Sequence, residues 1–148
     1  MKLTLVYPNV PFWRAEVSRL ALHLGKVPFE NRQPAWSEFT QLRDSGALPF
    51  NQLPILIADG ETIAQTGAIA RYCGKLSGLY PKNNDLLAAQ IDQVLDLATD
   101  ITVLVSTTAN AVTGRMDNDQ EKIRKRKALS DGELGRKLDI LEKNIKPN

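Results

Sequence analysis

Gln65-Thr66 stands where a helical pattern begins: Ile69, Tyr72, Cys73 and Leu76 fall on one face of the segment that follows. The first turn of a helix has backbone N–H groups without partners and the positive end of the helix dipole. A threonine there can hold a carboxylate, serve as a plain N-cap, or do both. Cys73 is the only cysteine. It lies on the apolar face and reads as core rather than as a nucleophile, and one cysteine forms neither an internal disulfide nor a C-x-x-C motif. His23, the only histidine, has no partner motif. The run KIRKRK at 122–127 stands beside Asp117, Asp119 and Glu121, which favours a solvated helix face over a nucleic-acid site.

The elements that would position these residues follow from periodicity. LTLV at 3–6 is an apolar strand. Pro11 can open a helix, with Val17, Leu20, Ala21 and Leu24 as its apolar face and Gly25 as its stop. Residues 28–33 are extended, and 35–45 form a short helix ending at Gly46. Pro54-Ile55 begins a buried strand, and Asp59-Gly60 turns it into a hairpin with 61–64. A third helix closes near Gly78 and Pro81. The order β-α-β-α-β-β-α defines an α/β domain over 1–80. Beyond it, Leu87, Ile91, Val94, Ala98, Ile101 and Val105 form a seam on a helix over 83–112. After a loop at 113–119, Leu134, Leu138, Leu141 and Ile145 form a seam on a second long helix, 120–145. Gly132 and Gly135 weaken it, and Ser130 with Glu133 could cap a new turn. Residues 83–148 therefore read as an incomplete all-helical domain, because two helices cannot bury both seams.

Composition narrows the function classes. The 148 residues are 43% hydrophobic and 24% charged, with net charge +2. Residues 1–80 carry 8 Lys/Arg against 6 Asp/Glu, and the remainder carries 11 of each, so neither half resembles a nucleic-acid binder. No apolar run approaches a membrane span or a signal peptide. A cytoplasmic location is expected.

Residues 49–72, PFNQLPILIADGETIAQTGAIARY, resemble the cytosolic glutathione transferases of the tyrosine type (alpha, mu, pi, sigma). The shared pattern is aromatic-x-Q-[LV]-P, a strand, D-G, a short strand, then Q-[ST]-x-A-I. LRDSGALPF at 42–50 is similar to the alpha class, and Val6-Tyr7 with Arg14-Ala15-Glu16 is similar to the family's first strand and helix. Two departures stand out. The loop between Tyr7 and Arg14 is one residue longer, and the family continues for about three more helices.

The resemblance implies a thioredoxin-like glutathione-binding domain. Glutathione would be a co-substrate, with no cofactor and no metal, and a small hydrophobic electrophile the second substrate. Tyr7 would be catalytic, donating a hydrogen bond to the thiolate. Leu53-Pro54 would be a cis peptide presenting the Leu53 backbone to the tripeptide as a short strand. Gln65 and Thr66 would hold the γ-glutamyl carboxylate, and Gln52 would contact the same ligand. Arg43 and Trp36 would approach the glycine carboxylate. Arg14 would either support Tyr7 or form an ordinary helix ion pair. Asp100 would reach the partner subunit's glutathione amine. Phe50, in the apolar stretch Ala47-Leu48-Pro49-Phe50, would insert into a second copy to make a homodimer. A non-enzymatic binding or scaffold module, or an inactive truncated form, is the alternative.

Overall fold

The computed structural model describes residues 1–10, 13–108 and 119–144, and in it all four residues of β1 (Leu3–Val6) are buried. Side chains alternate between faces along a strand. Leu3, Leu5 and the following Tyr7 join one apolar cluster, and Val6 joins another. A strand buried on both sides needs cover on both sides. The chain supplies it from α1 (Glu16–Leu24), β2 (Glu30–Arg32), α2 (Trp36–Asp44), β3 (Ile55–Ala58), β4 (Glu61–Ala64) and α3 (Thr66–Leu76). Leu22 of α1 and Ile69 and Cys73 of α3 pack with Leu3, Leu5 and Leu56 on one face. Phe39 and Leu42 of α2 pack with Val6, Leu48 and Ile55 on the other.

The sheet runs β2-β1-β3-β4. β2 is parallel to β1, while β3 and β4 are antiparallel to their neighbours. Asp59 and Gly60 both have positive φ, 48° and 95°, as a two-residue hairpin requires. This is the thioredoxin-like β-α-β-α-β-β-α architecture that the sequence implies.

The buried face of α1 differs from the expected one. Leu20 is 53% and Leu24 67% exposed, Val17 is also exposed, and Ser18, Ala21 and Leu22 are buried. The cause is close approach to α3. A Cβ on Gly25 would lie 2.4 Å from Ser77 Cβ, so only a glycine fits there. Small residues make that contact, and hydropathy places Ser18 and Gly25 outside. The helix begins at Glu16, and Pro11 lies outside the described residues.

By its contacts the chain forms two compact units, 1–89 and 90–148, and the division falls inside α4 (Asp85–Ser106). The helix expected over 83–112 thus ends at Ser106, with positions 109–118 outside the described residues. The single helix expected over 120–145 is two, α5 (Asp119–Asp131) and α6 (Glu133–Asn144), and Ile145 is not described. Gly132 separates them, and Ser130 lies inside α5 rather than capping a new turn. Neither α4 nor α6 has a fully buried residue, and Leu87, Val94 and Leu138 of their seams are exposed.

Cys73 links this packing to pH. It is fully buried, and burial pushes its thiol from 9.0 up to about 11 despite a small opposing pull from Ser18. Below pH 9 both folded and unfolded thiols are protonated. Above it the unfolded thiol ionises first, so stability falls as pH rises toward 11, by about 2–3 kcal/mol for the two-unit shift. Urea unfolding between pH 8 and 11 should show this fall, and Cys73→Ala should flatten it by that amount.

Candidate functional site

The strand that crosses the core leads into Tyr7, one residue past its end, beside a cleft of about 300 Å³ within residues 7–66. That volume is at the lower end for small-molecule sites. Tyr7, Arg14, Trp36, Gln52, Leu53, Pro54, Gln65 and Thr66 line it together, as does Phe50. Eight of the ten residues expected from sequence to act in the site therefore meet in one place. The lining also includes Pro8, Val10, Phe39, Asn51 and Ala64, which sequence reasoning did not select. Of these, Asn51 has a local signal: its φ is 54°, a left-handed conformation asparagine tolerates.

Tyr7 is anchored through its backbone. Its backbone N–H donates to the Arg32 carbonyl at 3.1 Å, continuing the β1–β2 ladder. The Arg14 backbone N–H and charge both favour the ionised form of its hydroxyl. Burial raises the hydroxyl above its ordinary range, while the Arg14 charge, that N–H and Arg19 pull it partly back. Near neutral pH it is a protonated phenol, able to donate into the cleft. Arg14 itself lines the cleft.

Leu53-Pro54 is cis, as the resemblance implies. Across the cleft, α3 starts at Thr66, and the first helical bond there is Ile69 N–H to the Gln65 carbonyl at 3.0 Å. The N–H groups before Ile69 have no partner within the helix and favour an anion. Together these parts can hold an extended peptide with a carboxylate at one end and a polarised atom at Tyr7.

Two expected residues lie elsewhere. Arg43 is on the last turn of α2 and outside the cleft lining. Its Nε donates to Asp44 at 3.0 Å, and its guanidinium stands 6.0 Å from the Phe39 ring centroid. Asp100 is in the second unit on α4, where it accepts from Lys137 Nζ at 3.2 Å. Phe50 is 59% exposed at the cleft, whereas Leu48 of the same stretch turns inward to Val6 and Ile55. Trp36 is 69% exposed, edge-on to Phe39 at 5.9 Å. Among the described residues no cluster of His, Cys, Asp or Glu could hold a metal, and no helix is long and apolar enough to cross a membrane.

The domain is thioredoxin-like, with an anion-receptive helix start, a cis-proline edge and a buried tyrosine. Residues 1–75 match the family model for the glutathione S-transferase N-terminal domain, and the chain belongs to that family. Among its relatives, glutathione S-transferase 1 of Ascaris suum is 33% identical over 114 residues, 77% of this chain and 54% of the relative. The glutathione S-transferase structure from Ascaris lumbricoides superposes with TM-score 0.77 at 29% identity, covering 97% of this chain and 69% of the other. A glutathione S-transferase of the hookworm Necator americanus, described as monomeric, gives TM-score 0.72 at 26% identity over 93% of this chain and 62% of its own. The chain spans about half the length of the curated relatives it matches.

Gln65 has φ 75° and ψ 125°, a region that side chains other than glycine rarely enter. Such strain costs roughly 1–3 kcal/mol, more than the ~0.5–1 kcal/mol of extra chain entropy that a glycine loses on folding. Gln65→Gly should therefore raise the melting temperature, and Gln65→Ala, which retains the Cβ, should not. A Gln65→Gly variant that melts below wild type would refute the strain.

Proposed function

We propose that this chain binds glutathione in the cleft and activates its thiol as a thiolate for attack on a small hydrophobic electrophile. The observation that carries this reading is the meeting of Tyr7, Gln52, Leu53, Pro54, Gln65 and Thr66 around one cavity. The Leu53 backbone pairs with the cysteinyl residue, and Thr66 with Gln65 receives the γ-glutamyl carboxylate. Tyr7 donates its proton-bearing hydroxyl to the sulfur, and Arg14 supports Tyr7 through its N–H and charge. Glutathione is a co-substrate, and the proposed chemistry calls on no cofactor. Pro8 and Val10 beside Tyr7 offer apolar surface to the electrophile. Trp36 and, more remotely, Arg43 assist with the glycine carboxylate. A cytoplasmic location fits a buried, unpaired Cys73.

The full chain should be retained on immobilised glutathione. Thr66→Ala should weaken binding by tenfold or more, as expected for a lost hydrogen bond to a charged group worth ~1.5–3 kcal/mol. Arg43→Ala should cost less, because Arg43 is exposed and engaged by Asp44. Tyr7→Phe should leave binding intact and move the thiolate titration of bound glutathione up by about 1–2 units. A folded wild-type chain that is not retained would overturn the assignment.

We further propose a homodimer in which Phe50 inserts into a second copy, with Asp100 of one copy near the glutathione of the other. The support is the exposure of Phe50 with Ala47 and Pro49 around it. A buried Phe contributes about 1.5–3 kcal/mol, and twofold symmetry makes the contact twice. Sedimentation should show a dimer that Phe50→Ser shifts toward monomer. A wild-type monomer at high micromolar concentration, like the state described for the Necator protein, would refute it.

A further inference from the structure

Arg19 does not line the cleft, yet its surroundings are built around Tyr7. It is a half-buried residue whose side chain is 14% exposed. Its Nη1 donates to Glu16 at 3.1 Å within α1, and its Nε donates to Asn31 at 3.0 Å on β2. Two elements therefore fix the guanidinium plane, as the fork geometry of arginine allows. Its remaining nitrogen, Nη2, is buried with no hydrogen-bond partner among the described residues. A buried donor without an acceptor is costly and calls for an explanation. The guanidinium carbon stands over the Tyr7 ring, 5.9 Å from its centroid. The π face carries negative charge and is the partner the geometry leaves for this cation.

We propose that Arg19 is a positioning residue that fixes the Tyr7 ring from beneath and polarises its hydroxyl as a hydrogen-bond donor. This inference rests on the reading of Tyr7 as the donor to the glutathione sulfur. Arg14 acts on the hydroxyl oxygen, and Arg19 acts through the ring. A fixed cation against the ring favours negative charge on the phenol and so strengthens the O–H as a donor. It also pulls the hydroxyl down against burial.

The other charged groups around this pair are engaged elsewhere or act separately. Glu16 is held by Arg19 itself, Glu30 accepts from Thr4, and Arg32 pairs with Glu38. On α3, Lys75 stands over Tyr80, and Arg71 folds back toward Gly67. Arg14 is the only other charge named above that acts on the hydroxyl, and it is unchanged in every variant below.

The test is the thiolate absorbance of glutathione bound to the full chain, followed against pH. Arg19→Met should move the titration up by about half a unit, the scale of a partly buried cation–π contact. Affinity at low pH, where the thiol is neutral, should change less than twofold. Arg19→Lys should restore part of the shift, and in a Tyr7→Phe background Arg19→Met should have no further effect. If Arg19→Met does not fold, Asn31→Ala releases the Nε tether at an exposed position and should move the titration up by a smaller amount. A titration that Tyr7→Phe moves and neither Arg19→Met nor Asn31→Ala moves would overturn the role of Arg19 alone. So would an Arg19→Met shift that persists without the Tyr7 hydroxyl, since the charge would then act on sulfur directly. A titration unmoved by Tyr7→Phe would overturn the donor reading itself, and this inference with it.

Discussion

The burial of β1 on both faces is the constraint from which the site follows. Alternation commits Leu3, Leu5 and Tyr7 to the side of α1 and α3, and Val6 to the side of α2. A register slip of one residue would exchange these sets and put Tyr7 under the wrong helix. The backbone bond from Tyr7 N–H to Arg32 extends the parallel ladder one residue past the strand and fixes where the ring leaves the sheet. The cis-proline edge enters through β3, the other neighbour of β1, and the helix start enters through β4. Each wall of the cleft is thus within two strands of β1.

Much of this was legible in the sequence because local signals agreed with each other. The Asp59-Gly60 turn, the apolar run at 55–58 and the Gln65-Thr66 helix start each point to one conformation, and together they leave little freedom for the segment 49–72. Less legible was anything decided by close approach. Ser18, Gly25 and Ser77 lie where α1 meets α3, and small or polar residues carry almost no hydropathy signal. Their periodicity was hidden behind Val17, Leu20 and Leu24, which are exposed in the described chain. The inward turn of Leu48 is illegible for a related reason. It sits in a loop, where no period exists to reveal that one apolar residue turns inward while its neighbours do not.

The helical unit shows the limit of pattern reading from the other side. Heptad-like spacing in α4 and α6 is real, but spacing specifies a face and not its partner. With no buried residue in either helix, little tertiary packing favours one continuous α5–α6 helix, and propensity decides. Gly132, costing about 1 kcal/mol relative to alanine, then sets where the helix breaks, while Gly135 is accommodated inside α6. Asp100 follows the same logic. Its carboxylate, on a largely exposed face, meets the nearest cation, Lys137, within its own unit.

On the proposed reading of Tyr7 as the donor to a thiolate, charge placement around it gives these pieces a common purpose. A phenol that stabilises a thiolate must remain protonated, because a phenolate beside a thiolate would repel it. It must also be acidic enough to donate strongly. Burial alone would secure the proton and weaken the donor, and two adjacent free cations would strengthen the donor at the risk of ionising it. Here burial is the largest influence, with Arg14 and Arg19 opposing it in smaller measure. Arg19 has Glu16 bound to it, which tempers its field. The hydroxyl therefore stays above its ordinary pKa, and hence protonated through the physiological range, while both cations bias it toward donation. On that reading the balance comes from α1, which supplies both Glu16 and Arg19 beside a ring that β1 delivers, so the helix that covers the core would also tune the residue at its edge.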